Sequence, residues 1–453
     1  MEISNVTVWL NMRRKYILGG CIGFLVFLLL FSINLSSGEF SLIEPAGRSP
    51  LTQELRPATN LYYWNNRKVK TVNYSYWPRA LETKYLAWKS WHGRFNNERI
   101  SLELAFVFAA LLNRTLVLPP VYDYFNLKEF MYEKFFEIDD MRKAISVVTF
   151  DDFAAQEGIT ADYGNIASKA TVLHWPEFPN AESIFVYPEI PNKEKEPGEW
   201  AKMEKFARKR RMGKLRDIKT DPAMVNDRII YFPDHQLLAH FYAYIYIRDP
   251  QLDRYMKRLV RDHLHIRDDI YDTANVILEA MPKKFYAIHF RRGDFQYQDQ
   301  RHLTGQTILN NLKPFFPVGS TIYLATDETD KAILQKDFLQ YFGDYKIITY
   351  GDFEHLVSKY IQPHWVGIIE QIICSRGESF VGTKLSTYSG YITRIRGYSP
   401  DIVDKAIYFT DTKYPDGYKD ENLFSKNWPR WGDYWLEHGL WAREFQESWE
   451  IDG

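Results

Sequence analysis

The sequence predicts an α/β protein in which two doubly wound domains face each other across a cleft. A length of 453 residues suits two domains with additional segments, and 45% hydrophobic with 25% charged residues is the composition of a globular protein with a buried core. A strand, a helix and a second strand follow one another within residues 85–120, and five more strands alternate with helical segments within residues 286–409. Such alternation in each half is typical of parallel sheets covered by helices.

The first strand–helix–strand unit is predicted from changes in the hydrophobic pattern. Residues 85–91 form a short apolar strand, and the polar sequence HGRFNNE at 92–98 predicts a loop. Residues 99–112 predict a buried helix, and the strand that follows ends at Pro119 and Pro120. Two consecutive strands joined by a helix are expected to pair in parallel, with a right-handed crossover.

The second series of strands begins after a helical stretch at residues 254–281. Its predicted strands are 286–290, 321–327, 345–350, 379–383 and 406–409, and its predicted helices include 331–341, 364–375 and 386–396. None of these strands is followed by the glycine-rich sequence of a dinucleotide-binding fold or of a P-loop, so neither type of phosphate site is predicted.

These patterns divide the body into an N-terminal domain at 85–255, a C-terminal domain at 256–415 and an aromatic-rich extension at 416–453. The tryptophans of the extension have spacings that suit a helix packed onto the body. A stretch dense in charge, 192–219, predicts a solvated helix or a mobile insertion, with an acceptor-binding lobe as the alternative.

Residues 16–33 carry no charge and predict a transmembrane signal anchor. Arg13, Arg14 and Lys15 precede this run, and a basic cluster on that side keeps the N-terminal tail, residues 1–15, in the cytoplasm. The rest of the chain then faces the lumen, and the short span favours the thinner membranes of the endoplasmic reticulum or Golgi. The alternative is a cleaved signal peptide, whose apolar core is usually shorter.

Residues 34–84 are polar with scattered prolines and predict a luminal stem that holds the body away from the membrane. In the lumen, Asn-x-Ser/Thr sequences become available for glycosylation, and such sequences begin at Asn34, Asn73 and Asn113.

Charge and cysteine content limit the ligands that the body can hold. A formal net charge of −1 gives no overall field that would attract nucleic acid, so no nucleic-acid partner is predicted. The two cysteines are Cys21, within the apolar run, and Cys374, so the body cannot form an internal disulfide or a zinc site built on cysteines. An anionic ligand would have to be held by local arginines.

The end of the strand at 286–290 carries the most informative polar sequence. His289 and Arg291 are expected on one side of the strand because side chains alternate, and Gly293 allows the chain to turn away. An arginine at this edge offers a planar, permanently charged group to phosphate oxygens. The alternative is a structural ion pair of Asp294 with Arg291 or Arg292, and one of the two arginines is expected to satisfy Asp294.

Two further strand ends carry polar groups. Asp327 can accept hydrogen bonds from a base or a sugar hydroxyl, although a residue in this position also caps helices. Ser386, Thr387, Tyr388 and Ser389 open a helix whose free N–H groups and hydroxyls could bind an anion, with ordinary capping as the alternative. The body contains no Asp-x-Asp sequence, so no metal is predicted, and arginine with a helix N-terminus would supply the positive charge instead.

Together these motifs resemble the protein O-fucosyltransferase superfamily of inverting glycosyltransferases. The resemblance lies in HGRFNNERISLELAFVFAALLNRTLVLPP, FYAIHFRRGDF, IYLATDE and ESFVGTKLSTYSGYITRIRG, which follow the family's order across residues 84–398. It implies a GT-B fold, in which two Rossmann-like domains face a cleft, and GDP-fucose as the donor substrate without a further cofactor. The sequence HxRRxD is also similar to that of α-1,6-fucosyltransferases.

The resemblance also implies roles for single residues. Arg291 would bind the donor phosphates and stabilise the leaving group, and Asn97 would lie near the reacting centre. The remaining donor-binding residues would be His289 beside the ribose and phosphates, Asp327 facing guanine, Thr387 and Tyr388 contacting phosphate, and the neighbouring Arg292, Asp294 and Ser386.

This chain departs from the family pattern at the catalytic base. Some members carry a glutamate in the loop that is occupied here by His92 and its two neighbours, and Glu98 and His92 are the nearby substitutes. Animal members modify disulfide-rich modules and contain disulfides themselves, so the identity of the acceptor does not carry over to this body.

The sequence therefore predicts an inverting, metal-independent enzyme that transfers fucose from GDP-fucose to a hydroxyl of a protein or a glycan. One alternative is transfer to a glycan of the α-1,6 type. Another is an inactive relative that acts as a lectin or scaffold, which the missing glutamate favours and the intact Arg291, Asp327 and Thr387 oppose.

Overall fold

The computed structural model describes residues 50–65, 83–89, 94–120, 122–124, 127–173, 183–209, 214–218, 226–233, 245–296, 301–383, 386–399 and 406–408. The predicted anchor at 16–33, the extension at 416–453, His92, Asn34 and Asn73 lie outside these residues. Within the described ranges, no helix is both long and apolar enough to cross a membrane.

The elements are numbered in chain order. The strands are β1 (Tyr85–Trp88), β2 (Thr115–Val117), β3 (Tyr122–Tyr124), β4 (Leu127–Phe130), β5 (Val147–Val148), β6 (Thr171–Val172), β7 (Ser183–Tyr187), β8 (Lys214–Asp217), β9 (Ile229–Phe232), β10 (Ile245–Ile247), β11 (Tyr286–Phe290), β12 (Thr321–Thr326), β13 (Lys346–Ile348), β14 (Phe380–Gly382) and β15 (Ala406–Tyr408). The helices are α1 (Phe95–Leu111), α2 (Ile138–Ala144), α3 (Phe150–Glu157), α4 (Pro197–Lys209), α5 (Pro250–His263), α6 (Asp268–Ala280), α7 (Gly305–Leu312), α8 (Lys331–Asp337), α9 (Glu354–Val357), α10 (Val366–Ser375) and α11 (Thr387–Tyr398).

The first half of the chain builds a five-stranded parallel sheet in the order β5-β2-β1-β9-β6. Strand β1 lies at its centre, pairs in parallel with β2, and is connected to it by α1, so the predicted parallel strand–helix–strand unit is confirmed. Helix α1 is buried on nearly all sides, which explains why its sequence is apolar beyond a single stripe.

Helix α1 begins earlier than the sequence pattern predicts. Arg94 precedes its first turn with an extended backbone, φ −87° and ψ 171°, and the helix starts at Phe95. Asn97 and Glu98 therefore lie in the first helical turn, and the prediction of a loop through residue 98 is wrong there. Asparagine is a weak helix former, so contacts from other elements must decide this boundary.

The second half builds another five-stranded parallel sheet, in the order β13-β12-β11-β14-β15. All five predicted strands are present, each within two residues of its predicted ends, which confirms the α/β class with parallel sheets. The first strand of this series, β11, is central, and the chain places later strands on both sides of it. The order therefore reverses between β11 and β14, and this reversal is where open parallel sheets bind ligands.

Two features of the first half have no counterpart in the sequence prediction. A three-stranded parallel sheet runs in the order β10-β7-β8, and an antiparallel hairpin joins β3 and β4. The charge-dense stretch at 192–219 contributes α4 and β8 to the part that the structure describes. Asn113, a predicted glycosylation site, is half-buried directly after α1, with a left-handed φ of 50°.

Residues 48–453 form one compact unit, and the predicted boundary between 255 and 256 lies inside α5. One hydrophobic cluster draws on β1 and α1 from the first half and on α10 and α11 from the second. The division of the body into two domains stays a prediction.

Residues 50–65, predicted as part of a stem, instead pack on the body, and we call them the N-terminal strap. The buried Asp272 of α6 accepts hydrogen bonds from the backbone N–H of Ala58, at 2.6 Å, and from the hydroxyl of Tyr62. Trp64 stacks on His265, with the ring centroids 4.3 Å apart. The strap is thus held by both polar and aromatic contacts.

Candidate functional site

The candidate site lies at the carboxyl ends of β11 and β14, where the strand order reverses. Arg291 directly follows β11, and its backbone N–H donates to the hydroxyl of Thr383, at 2.9 Å. The same hydroxyl donates to the carbonyl of His289, at 3.1 Å, and Thr383 directly follows β14. One threonine thereby links the two strand ends and fixes where the side chain of Arg291 begins.

His289 is buried and is held neutral by its surroundings. Its Nδ1 lies 2.7 Å from the hydroxyl of Ser389, and its ring stacks on Tyr388 with centroids 4.3 Å apart. Burial, together with the nearby cation of Arg291, lowers the pKa of His289 to about 3. The imidazole therefore stays uncharged at neutral pH and cannot act as a base that titrates near pH 7.

The guanidinium of Arg291 contacts two carboxylates, those of Asp294 and Asp327. Asp294 also binds the guanidinium of Arg94, which precedes α1 in the first half of the chain. Burial lowers the pKa of Arg291, but an arginine remains a cation at any physiological pH. The predicted pair of Arg291 with Asp294 is present, and it belongs to a larger cluster of two arginines and two aspartates.

Gly293 lies where this cluster leaves little room for a side chain. A Cβ atom at this position would lie 2.3 Å from Oδ2 of Asp327 and 3.1 Å from Nη1 of Arg291. Oδ1 of Asp327 accepts the backbone N–H of Arg292 at 2.7 Å. Asp327, predicted to face guanine, is therefore engaged by the turn after β11 and by Arg291.

The structure places the side chain of Arg292 outside this cluster. Its guanidinium donates to the carbonyl of Arg301, at 2.7 Å, pairs with Asp337 and lies over the ring of Phe290 at 5.3 Å. Strand alternation explains this, because Phe290 and Arg292 share one side and His289 and Arg291 the other. Arg292, predicted to bind the donor, thus makes contacts that stabilise the fold.

Helices α1 and α11 run parallel, with their N-terminal turns in contact. The hydroxyl of Thr387, at the start of α11, donates to Oδ1 of Asn97 at 3.3 Å. About two turns further along both helices, Arg394 donates to Glu103 at 2.8 Å. The two N-termini therefore meet, and each carries partial positive charge from its free N–H groups.

The first residues of α11 are held in place by α10 and by the end of β14. The buried Ser386 precedes the helix, and its backbone N–H donates to the carbonyl of Thr383 at 3.4 Å. The hydroxyl of Tyr388 donates to the carbonyl of Gly367 at 2.6 Å. The side chain of Gln371 donates to the carbonyl of Tyr388 at 3.1 Å, so the predicted phosphate-contacting segment is rigidly placed.

The two predicted substitutes for a catalytic base differ in what the structure says of them. Glu98 is fully buried in the first turn of α1, so its carboxyl group cannot meet an acceptor hydroxyl from solvent. His92 lies outside the described residues. Among the residues that the structure describes, no group of three or more His, Cys, Asp or Glu side chains could hold a metal ion.

Sequence reasoning missed several residues of this site. Arg94 and Thr383 contact the predicted residues, and their only sequence signal is a position next to a helix start or a strand end. Glu370 of α10 was also not singled out: its carboxyl group accepts a hydrogen bond from Tyr323 of β12 at 3.2 Å, and burial raises its pKa to about 8. The sequence around Glu370 is that of an apolar helix, and nothing in it indicates the contact with Tyr323 or the raised pKa.

Three solved structures that resemble this chain have low sequence identity to it. POFUT1 in complex with GDP-fucose is 16% identical, with a TM-score of 0.38, and the match covers 73% of this chain and 99% of that one. Fucosyltransferase NodZ from Bradyrhizobium is 14% identical, with a TM-score of 0.37 and coverage of 73% and 96%. Arabidopsis thaliana FUT1 R284K in complex with GDP is 12% identical, with a TM-score of 0.41 and coverage of 80% and 78%. None of the three is similar enough to assign roles to residues here.

No curated protein matches the chain significantly in sequence. The family model described as GDP-fucose protein O-fucosyltransferase matches residues 85–399, which is more than two thirds of the chain. This range contains the first five-stranded sheet, four of the five strands of the second, and every residue of the cluster at the ends of β11 and β14. The chain is therefore a glycosyltransferase that belongs to the GDP-fucose protein O-fucosyltransferase family.

Proposed function

We propose that the protein transfers fucose from GDP-fucose to a hydroxyl group of a protein serine or threonine or of a glycan, with inversion at the anomeric carbon. The observation that carries this proposal is the cluster at the strand reversal. There, Arg94 and Arg291 lie beside two parallel helices whose N-termini meet at Asn97 and Thr387. These two cations are paired with Asp294 and Asp327, so they would bind a diphosphate by exchanging the carboxylates for phosphate oxygens, and the two helix N-termini add partial positive charge.

Arg291 would act on the leaving group. In the proposed reaction the acceptor oxygen forms a bond to the anomeric carbon from the face opposite GDP, and the bond between that carbon and the β-phosphate oxygen breaks. The electron pair leaves with GDP, and the acceptor hydroxyl loses its proton to a base, for which His92 is the predicted residue. A cation fixed by the turn after β11 stabilises the departing diphosphate more than the bound donor, which is what accelerates the reaction.

Asn97 would orient a reacting group. Its amide lies at the start of α1, with the carbonyl oxygen 3.3 Å from the hydroxyl of Thr387. Because the amide oxygen accepts this bond, the NH2 group of Asn97 can donate to an oxygen atom of GDP-fucose or of the acceptor molecule. The burial of Glu98 leaves His92 as the predicted base.

The charge of the diphosphate would be balanced without a metal ion. The sequence has no Asp-x-Asp, and the guanidinium groups of Arg94 and Arg291 would contact the phosphates where a divalent cation would otherwise act. We therefore expect turnover of GDP-fucose to be unchanged by EDTA, measured as GDP release. Activity lost to the chelator and restored by manganese would contradict a metal-independent phosphate site.

The proposed function is tested by incubating the purified protein with a panel of GDP-sugars and measuring GDP release. We expect GDP-fucose to be turned over fastest, even without acceptor, through slow hydrolysis. Analysis of the anomeric configuration of the fucosylated product then tests inversion. Tight binding of GDP-fucose without any release of GDP, with or without acceptors, would favour the lectin or scaffold alternative.

A further inference from the structure

A second group of charged side chains is buried between α1 and α11, away from the strand ends. Glu103 is fully buried and accepts hydrogen bonds from Arg99 on its own helix, at 3.3 Å, and from Arg394 on α11, at 2.8 Å. Both guanidinium groups lie over the ring of Tyr391, at 4.2 and 4.6 Å from its centroid. Arg394 also donates to the hydroxyl of Tyr398, at 3.2 Å.

Stability alone does not account for this group. Desolvation offsets most of the attraction between buried charges, and apolar side chains of similar volume often stabilise such a position as well or better. Hydrogen bonds between charged groups are directional, however, whereas contacts between apolar side chains are not. A buried ion pair between parallel helices can therefore fix how far one helix slides or rotates against the other.

The contact between α1 and α11 reaches the candidate site at its N-terminal end. Asn97 and Thr387 meet at its N-terminal end, and Glu103 with Arg394 lies about two turns further along. Helix α1 follows β1 of the first five-stranded sheet and α11 follows β14 of the second, so this pair joins the two halves of the chain. A change in the register of the helices would displace Asn97 from the residues that follow β11 and β14.

We propose that Glu103 and Arg394 are positioning residues that set the distance between Asn97 and the donor-binding residues of the second half. This inference rests on the proposed function, because it assigns to the pair a role in the transfer of fucose. Loss of the pair should misplace a reacting group and leave donor binding by the second half in place. A displacement of about 1 Å at a reacting centre can reduce turnover by roughly a hundredfold.

The test uses the variant in which all three charges are replaced together, Arg99→Met with Glu103→Leu and Arg394→Met. This replacement leaves no unpaired charge from the group, so the protein is expected to fold. We expect kcat for GDP-fucose to fall at least tenfold per folded molecule, while the Kd for GDP, measured by calorimetry, changes less than threefold. Arg394→Lys keeps the charge but not the planar fork, and should lose part of the same activity; it decides the question if the triple variant does not fold.

Arg396→Met is the matched control. Arg396 is a buried arginine on the same helix, and its guanidinium donates to the carbonyls of Ser375, Gly377 and Glu378, all within the second half. We expect this variant to lower Tm and to keep kcat per folded molecule. Near-normal kcat in the folded Arg99, Glu103 and Arg394 variants would overturn the positioning role, whereas absence of turnover in the unaltered protein would overturn the proposed function itself.

Discussion

At the scale of single residues, neighbouring side chains of the same type have different surroundings. Arg291 and Arg292 are adjacent, but the first contacts Asp294 and Asp327 and the second contacts Asp337 and a carbonyl. The alternation of a strand sends one guanidinium to the strand reversal and the other to the packing behind it. Substitutions of these two neighbours therefore compare the loss of an arginine at the candidate site with the loss of an arginine that only stabilises the fold.

Arg291→Ala should nearly abolish turnover of GDP-fucose while the protein remains folded. Removal of a charge-assisted contact that acts in the transition state costs about 3 kcal/mol or more, which is roughly a hundredfold in rate. Arg291→Lys should recover only part of the activity, because an ammonium group cannot form the bidentate contact. The measurement is GDP release per folded molecule, together with thermal melting.

Arg292→Lys provides the control for this prediction. Because its contacts lie away from the site, we expect a lower Tm and turnover per folded molecule near that of the unaltered protein. A folded Arg291→Ala protein with normal turnover would remove the basis of the proposed mechanism. A large loss of turnover in Arg292→Lys without any loss of stability would indicate that Arg292 binds the donor, as the family resemblance implies.

The carboxyl group of Glu370 should make stability depend on pH. Burial raises its pKa from 4.5 to about 8, so between these values the folded protein holds a proton that the unfolded chain has lost. This contribution is fully present below pH 4.5 and is lost as the pH rises through 8. Glu370→Gln keeps a polar partner for Tyr323, and we expect its Tm to fall less between pH 5 and pH 8. Identical falls in the two proteins would show that the pKa of Glu370 is not raised in the folded protein.

At the scale of elements, contacts between the two halves of the chain decide boundaries that local sequence leaves open. The first turn of α1 contains two asparagines, and a single-sequence pattern favours a loop there. In the structure Asn96 accepts a hydrogen bond from Gln371 at 3.2 Å, and Asn97 accepts one from Thr387 at 3.3 Å. Side chains from α10 and α11 thus satisfy groups that would otherwise compete with the helical backbone.

The N-terminal strap should be required for stability. It covers the buried Asp272 and contributes Tyr63, which is only 4% exposed and packs on Tyr398 with ring centroids 4.8 Å apart. We expect a soluble protein that starts at residue 85 to melt at a lower temperature than one that starts at residue 48, or not to fold. Aromatic cores of this kind contribute several kcal/mol.

A single substitution tests the contact of the N-terminal strap with Asp272. Tyr62→Phe removes one of the hydrogen bonds to Asp272 and leaves the ring in place, so a loss of about 1–3 kcal/mol in the free energy of unfolding is expected. Equal Tm values for the proteins that start at 48 and 85 would instead identify residues 50–65 as part of a detached stem.

At the scale of the whole molecule, we propose that the body is luminal and is anchored in the membrane of the Golgi or endoplasmic reticulum by residues 16–33. The support is the uncharged run after Arg13, Arg14 and Lys15. In a eukaryotic cell the full-length protein should stay in the membrane after carbonate washing. It should also carry glycans that an endoglycosidase removes, at Asn73 or Asn113.

Replacement of each asparagine by glutamine identifies the glycosylated position by a change in electrophoretic mobility. Asn73 is the stronger candidate, because Asn113 is half-buried and its sequon continues into the buried Thr115 of β2. A fully soluble product without glycans would contradict both the anchor and the luminal location.

The sequence alone determined the α/β class, the five strands of the second half and the motif after β11. These features follow from local patterns, because buried parallel strands are apolar runs and ligand residues follow their ends. The family resemblance, drawn from four motifs in order, was confirmed by the match over residues 85–399.

Tertiary structure alone decided what the polar residues contact. Asp327 accepts from Arg291 and from a backbone N–H, Glu98 is buried, and residues 50–65 pack on the body. The seam from Asn97 and Thr387 to Glu103 and Arg394 joins positions almost three hundred residues apart. Such contacts depend on how helices from distant parts of the chain pack together, and no pattern within a short window of sequence contains that information.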